Sequence, residues 1–149
     1  MIAAPADIPA GFAPLPMIGE FIALTGPLYV RHVGTSVQFG FRVEARHTNP
    51  MGICHGGMMA TFCDMLLPLS VHRQRADVGM RFLLTINLQI DYLAPAPLGS
   101  WVQGEAEVLR VTRSLVFAQA LVTAGDEPAA RVSGIFKIGP PFPGRSEVI

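Results

Sequence analysis

The chain has 149 residues, with 11 Lys plus Arg balancing 11 Asp plus Glu, and it is 50% hydrophobic but only 15% charged. That length favours one domain with a single packed core, while the balanced charge excludes a basic nucleic-acid footprint and a polybasic membrane anchor. The apolar excess excludes disorder and leaves little polar cover for a monomer, so part of the surface is expected to be buried against another copy of the chain.

Residues 1–18 are broken by Pro5, Pro9, Pro14 and Pro16 and carry no Lys or Arg up to Pro16. They read as an irregular arm, without the charged start and unbroken apolar stretch of a secretory signal. A short helix is expected around Met17–Leu24 and a strand from Leu28 to Val33. A clearer strand follows, in which Val37, Phe39, Phe41, Val43 and Ala45 alternate with Gln38, Arg42, Glu44 and Arg46. His47-Thr48-Asn49-Pro50-Met51-Gly52 is turn chemistry. From Gly56 the period changes: Met59, Phe62, Cys63, Leu66, Leu67 and Ser70 recur at helical spacing through about Arg73. Pro68 lies inside that helix and predicts a kink or an early weakening, because it lacks a backbone donor.

After a loop at Arg75–Gly79, Leu84, Ile86, Leu88, Ile90 and Tyr92 face one way, opposite Thr85, Asn87, Gln89 and Asp91. Trp101–Thr112, Leu115–Thr123 and Ala129–Ile138 complete a meander with short turns, and the Pro- and Gly-rich tail from Gly139 is not expected to continue a strand. One domain over 1–149, with an arm at 1–18 and an irregular tail at 139–149, describes this organisation. A lone helix that is apolar around most of its girth needs cover on several sides, and an antiparallel sheet curled around it supplies that cover. The fold class is α+β.

Cys54 and Cys63, nine apart, match neither a redox nor a zinc spacing and read as reduced, buried thiols of a cytoplasmic protein. No window reaches the roughly 18 apolar residues of a membrane span. The histidines do not form a metal site on spacing, since His47 and His55 flank a turn and His72 lies a helix away.

The chemistry concentrates in Asn49 to Asp64. His55-Gly56-Gly57 falls where loop becomes helix, so it reads either as a tight turn or as a helix end whose free N–H groups hold a developing oxyanion. Asp64 has Ala60, Thr61, Leu67 and Pro68 one turn away, none of which neutralises a carboxylate. It is either a base sharpened by burial or an acid on a solvated stripe. Gly56 and Asp64 are eight residues apart, roughly 12 Å along the axis, so one carbonyl carbon cannot touch both. If both act on the same bond, they come from two chains. Thr85 could orient a water or steady Asp64, or be a plain surface residue. For Asn49, the residues favour a turn former before Pro50. Met17, Met51, Met58, Met59, Phe62 and Phe82 are candidates for a pliable pocket or for the core.

The run H-T-N-P-M-G-I-C-H-G-G-M-M-A-T-F-C-D, followed by T-I-N-L-Q-I-D-Y-L-A-P-A, resembles the hotdog-fold acyl-CoA thioesterases of the phenylacetate-degradation (PaaI-like) type, within the 4-hydroxybenzoyl-CoA thioesterase superfamily. The likeness extends from about Gly11 through Gly139. It implies a sheet wrapped around one long central helix, hotdogs paired into a continuous sheet, and dimers associating into tetramers. The implied reaction is hydrolysis of a thioester to carboxylate and free coenzyme A, with no metal and no cofactor beyond the coenzyme A of the substrate.

By the same resemblance Asp64 is the catalytic carboxylate, as general base or nucleophile. Gly56 supplies the polarising N–H, Asn49 and His55 support that end, and Thr85 assists the attacking water. Gly57 is a substrate-binding candidate, and Arg110 and Arg113 are candidates for coenzyme A phosphates. A hotdog module that binds acyl-CoA or an acyl carrier without hydrolysis is the competing reading, and a dehydratase ranks last because no Asp/His or Glu/His pair can be built within one chain from His55 and Asp64.

Overall fold

The computed structural model describes residues 7–16 and 19–142. Its elements are β1 (Ala13–Pro14), α1 (Glu20–Thr25), β2 (Tyr29–Val33), β3 (Ser36–Arg42), α2 (Gly56–Gln74), β4 (Arg81–Tyr92), β5 (Trp101–Val111), β6 (Leu115–Ala124) and β7 (Glu127–Pro141). All strands join one antiparallel sheet in the order β1-β2-β3-β5-β6-β7-β4. The expected arm therefore contributes a two-residue strand against β2, and the short helix begins at Glu20, with Met17 and Ile18 outside the described residues. The alternation after Ser36 ends at Arg42 as strand, and Ala45–His47 form a 3-10 turn instead.

α2 lies against β3, β4, β5, β6 and β7. Its Phe62, Cys63, Leu66, Leu67 and Val71 are fully enclosed, and the strands beneath them carry small residues to admit the helix. A Cβ on Gly104 would stand 2.6 Å from Leu66, and one on Gly134 would stand 2.8 Å from Leu67. Ala118 and Ala120 continue that floor. Pro68 does not end the helix, which runs unbroken to Gln74. The surrounding sheet and core hold both halves in place, so the local penalty is outweighed by tertiary packing. No helix among the described residues is long and apolar enough to cross a membrane.

Two expectations about the sheet are corrected. β7 continues through Pro140 to Pro141, where Arg81 opposes Pro141 and the Arg81 Nε–H donates to the Gly139 carbonyl at 2.7 Å. Proline is tolerated there because β6 begins opposite Lys137. Beyond Ile138, β7 is an edge on that side and no neighbour requires a donor.

The second correction concerns β4, whose faces are not those of a simple alternation. Thr85 opposes Phe136 and Asn87 opposes Ile135, so Ile86 is an extra residue, a β-bulge. The parity switches at that point. Leu83 and Thr85 share the helix-facing side with Leu88, Ile90 and Tyr92, rather than lying opposite them.

Candidate active site

Asp64 sits half-buried on α2, and the Thr85 hydroxyl donates to its Oδ1 at 2.6 Å. The pair exists because of the bulge: without Ile86 as an extra residue, Thr85 would point away from the helix. One carboxylate oxygen is thus held, while Oδ2 has no protein partner among the described residues. Asp64 and Thr85 open onto a cavity of about 270 Å³ whose other walls are mainly apolar, including Ile22, Met65, Leu69 and Leu83.

Local hydrogen bonds build the opposite end of the site. His55 is extended (φ −60°, ψ 137°) and its ring Nδ1 accepts the Gly57 N–H at 2.8 Å, capping α2. Because Nδ1 accepts, the proton of the neutral ring is on Nε2. The Gly56 and Met58 N–H groups have no partner among the described residues, so the dipole-positive helix end presents unspent donors, that of Gly56 at its first position. The Tyr92 hydroxyl donates to the Gly56 carbonyl at 2.7 Å, tying the first helical turn to β4.

The preceding loop is held by the His55 N–H on the His47 carbonyl (2.8 Å) and by the Cys54 N–H on the Ala96 carbonyl (2.8 Å). That second bond gives the Tyr-Leu-Ala-Pro-Ala run after β4 its structural role. Asn49 Oδ1 accepts the Met51 N–H (2.9 Å) and the Ile53 N–H (3.4 Å), as a turn former does. Gly52 completes the turn at φ +73°, where a side chain would be strained.

The structure therefore brings Asp64 together with Thr85, and His55 with Gly57, and leaves the two groups at opposite ends of a helical stretch. A second cavity of about 380 Å³ lies at the Gly57 end, beneath Phe21 and Leu24 of α1. Arg110 and Arg113 are exposed at the β5–β6 hairpin, with no side-chain partner among the described residues. Arg110 on β5 is three strands from β4, roughly 14 Å at the usual spacing, and neither arginine lines the Asp64 cavity or the cavity at Gly57.

Met58, Met59 and Phe62 belong to the core, Met51 is 82% exposed, and of the pocket candidates only Phe82 lines the Asp64 cavity. Met17 lies outside the described residues. Composition and period did not mark Tyr92, His72 or Phe142 as site residues. The signal for Tyr92 was its place one residue before the Leu-Ala-Pro turn. His47 is buried structure: Nδ1 accepts the Glu44 N–H at 3.0 Å and Nε2 donates to the Thr25 carbonyl at 2.6 Å. Burial pushes the Cys54 thiol up to about 11 and the Cys63 thiol up to about 12, so both stay protonated and poorly nucleophilic. No three His, Cys, Asp or Glu side chains converge as a ligand set among the described residues.

The profile of the thioesterase superfamily matches residues 51–130, a span that runs from the turn before His55 to β7. The chain belongs to the thioesterase superfamily. A Pseudomonas aeruginosa protein, PA0474, provisionally named as an esterase, is 26% identical over 133 residues, covering 89% of this chain and 98% of that protein. Mouse acyl-coenzyme A thioesterase 13 is 30% identical over 83 residues, 55% of this chain and 56% of that protein. The solved structure of a mutant of the Thermus thermophilus phenylacetic acid degradation protein PaaI superposes with a TM-score of 0.67 at 20% identity, covering 79% of this chain and 97% of that one. At that identity the likeness speaks for the fold, and the expected hotdog architecture of sheet and long helix is borne out. This thioesterase-superfamily chain thus carries a positioned carboxylate and an unspent backbone donor on the same helix.

Proposed function

We propose that this protein hydrolyses an acyl-coenzyme A thioester to a carboxylate and free coenzyme A, at a site completed by two copies of the chain. The observation that carries this reading is the Asp64 carboxylate, held by Thr85 at 2.6 Å, above an apolar cavity of about 270 Å³. The superfamily match and the name of the mouse relative support the substrate class.

Two copies are needed because Gly56 and Asp64 of one chain are roughly 12 Å apart along α2. The free side of β4 supports the pairing. It is the sheet's edge, 12 residues long, with Phe82, Leu84, Ile86, Tyr92 and Leu93 exposed near it, and such an edge is a ready template for another strand.

Antiparallel pairing of β4 with the partner's β4 would carry the Thr85 end of one strand toward the Tyr92 end of the other. Because Thr85 bonds Asp64 and Tyr92 bonds Gly56, such a pairing would bring the carboxylate of one subunit toward the glycine end of the other.

In such a site the thioester oxygen accepts the Gly56 N–H. Asp64 Oδ2 takes a proton from a water whose oxygen bonds to the carbonyl carbon. The resulting oxyanion strengthens the Gly56 bond, which favours the transition state over the ground state. Collapse breaks the C–S bond, and the proton held on Asp64 passes to the departing thiolate.

Thiol release from acyl-CoAs tests the reaction, and Asp64→Ala is expected to lower turnover by orders of magnitude. Asp64→Asn followed through single turnovers in labelled water separates base from nucleophile. Gly56→Pro deletes the proposed donor at a helix position that accepts proline, with an expected loss of about 10²–10³ in kcat. Mixing Asp64→Ala with Gly56→Pro subunits restores activity if two chains share one site. Tight acyl-CoA binding with no thiol released by the parent would overturn hydrolysis in favour of a binding module.

A further inference from the structure

We infer that Phe142, delivered by the extension of β7, sets the length of the acyl group this site takes; the inference rests on the reading of the Asp64 cavity as the acyl pocket. The cavity runs from Asp64 and Thr85 at one end to His72, Phe82 and Phe142 at the other. Two independent paths give its depth. His72 is eight residues beyond Asp64 on α2, roughly 12 Å along the helix, and Phe82 is three residues before Thr85 on β4, roughly 10 Å along the strand. Both end on the same aromatic wall.

Phe142 is the centre of that wall. Its ring meets Phe82 edge to face at 5.6 Å between centroids and 85°, and His72 at 5.9 Å and 72°. The Phe142 N–H donates to the Met80 carbonyl at 3.1 Å, which fixes where the ring stands. The imidazole behind it is also fixed, since His72 Nε2 donates to the Arg81 carbonyl at 2.7 Å. The wall is assembled by the part of β7 beyond Ile138, where the register against β4 shifts and Arg81 Nε donates to the Gly139 carbonyl. An apolar cavity near 150 Å³ holds a benzene molecule, so about 270 Å³ admits one ring on a short linker or an alkyl chain of medium length. A long fatty chain drives into Phe142.

The experiment compares kcat/KM for dodecanoyl-CoA and hexanoyl-CoA in the parent, Phe142→Ala and Phe142→Trp, each with its Tm. Phe142 follows the last strand, so the variants are expected to keep the parent's Tm. Phe142→Ala should raise the long-to-short ratio about tenfold or more, the scale of one or more methylenes admitted to a pocket, and Phe142→Trp should lower it. A ratio unchanged in both folded variants overturns the inference, as does a parent that prefers the longer chain. Should the parent release no thiol, the hydrolytic reading fails and the same ratio is read as dissociation constants by calorimetry. Absence of both turnover and binding overturns the inference as well.

Discussion

Replacing Pro68 by Ala is expected to raise Tm while lowering turnover. In α2 the missing N–H of Pro68 is the one that would reach the carbonyl four residues back, which belongs to Asp64. Against Ala, an interior proline costs about 3 kcal/mol. Two terms oppose the substitution. Proline stiffens the unfolded chain by about 0.4–1 kcal/mol, and Pro68 is half-buried against the Asp64 cavity, so losing two ring carbons costs about 1 kcal/mol. The net gain is about 1 kcal/mol, or an increase of about 2–4 °C in a chain of this size.

Calorimetry at one fixed protein concentration reads that shift, since any self-association would make Tm concentration-dependent. The same variant restores a donor to the Asp64 carbonyl and removes a wall of its cavity, so kcat for thiol release is expected to fall. A variant that melts below the parent refutes the reasoning, because it would mean that α2 is adapted to the proline.

Thr85→Val removes the hydroxyl on Asp64 Oδ1; a hydrogen bond to a charged group contributes about 1.5–3 kcal/mol to stability, so denaturant titration should show a loss of up to that size, and kcat should fall as the carboxylate loses its fixed aim. Gly134→Ala places a Cβ 2.7 Å from Phe136 and 2.8 Å from Leu67, and denaturant titration should show a loss of about 1–3 kcal/mol. His72 is held below the ordinary histidine value of 6.5 by burial, with the Arg81 carbonyl acting the other way. The unfolded chain therefore binds the extra proton first, and stability present above that value is lost as pH falls through the lowered one. Melting curves across the acid range should show this slope in the parent and a flatter one in His72→Gln.

What the sequence determined by itself is whatever depends on neighbours along the chain. The period of two placed the strands, the period near four placed α2, and the glycine pair after His55 marked where the helix begins and where a donor stays unspent. The eight-residue spacing of Gly56 and Asp64 already kept one chain from presenting both to a single carbon. The register of β4 against β7 was a tertiary matter. Alternation cannot reveal a bulge, because an extra residue is extra only relative to the strand beside it, and so Thr85 read as lying opposite the face it shares with Tyr92. The same holds for β7: Pro140 and Pro141 look like a stop until β6 is seen to leave that flank open. Phe142 and His72 are 70 residues apart and meet only because the sheet folds that end of β7 over the end of α2.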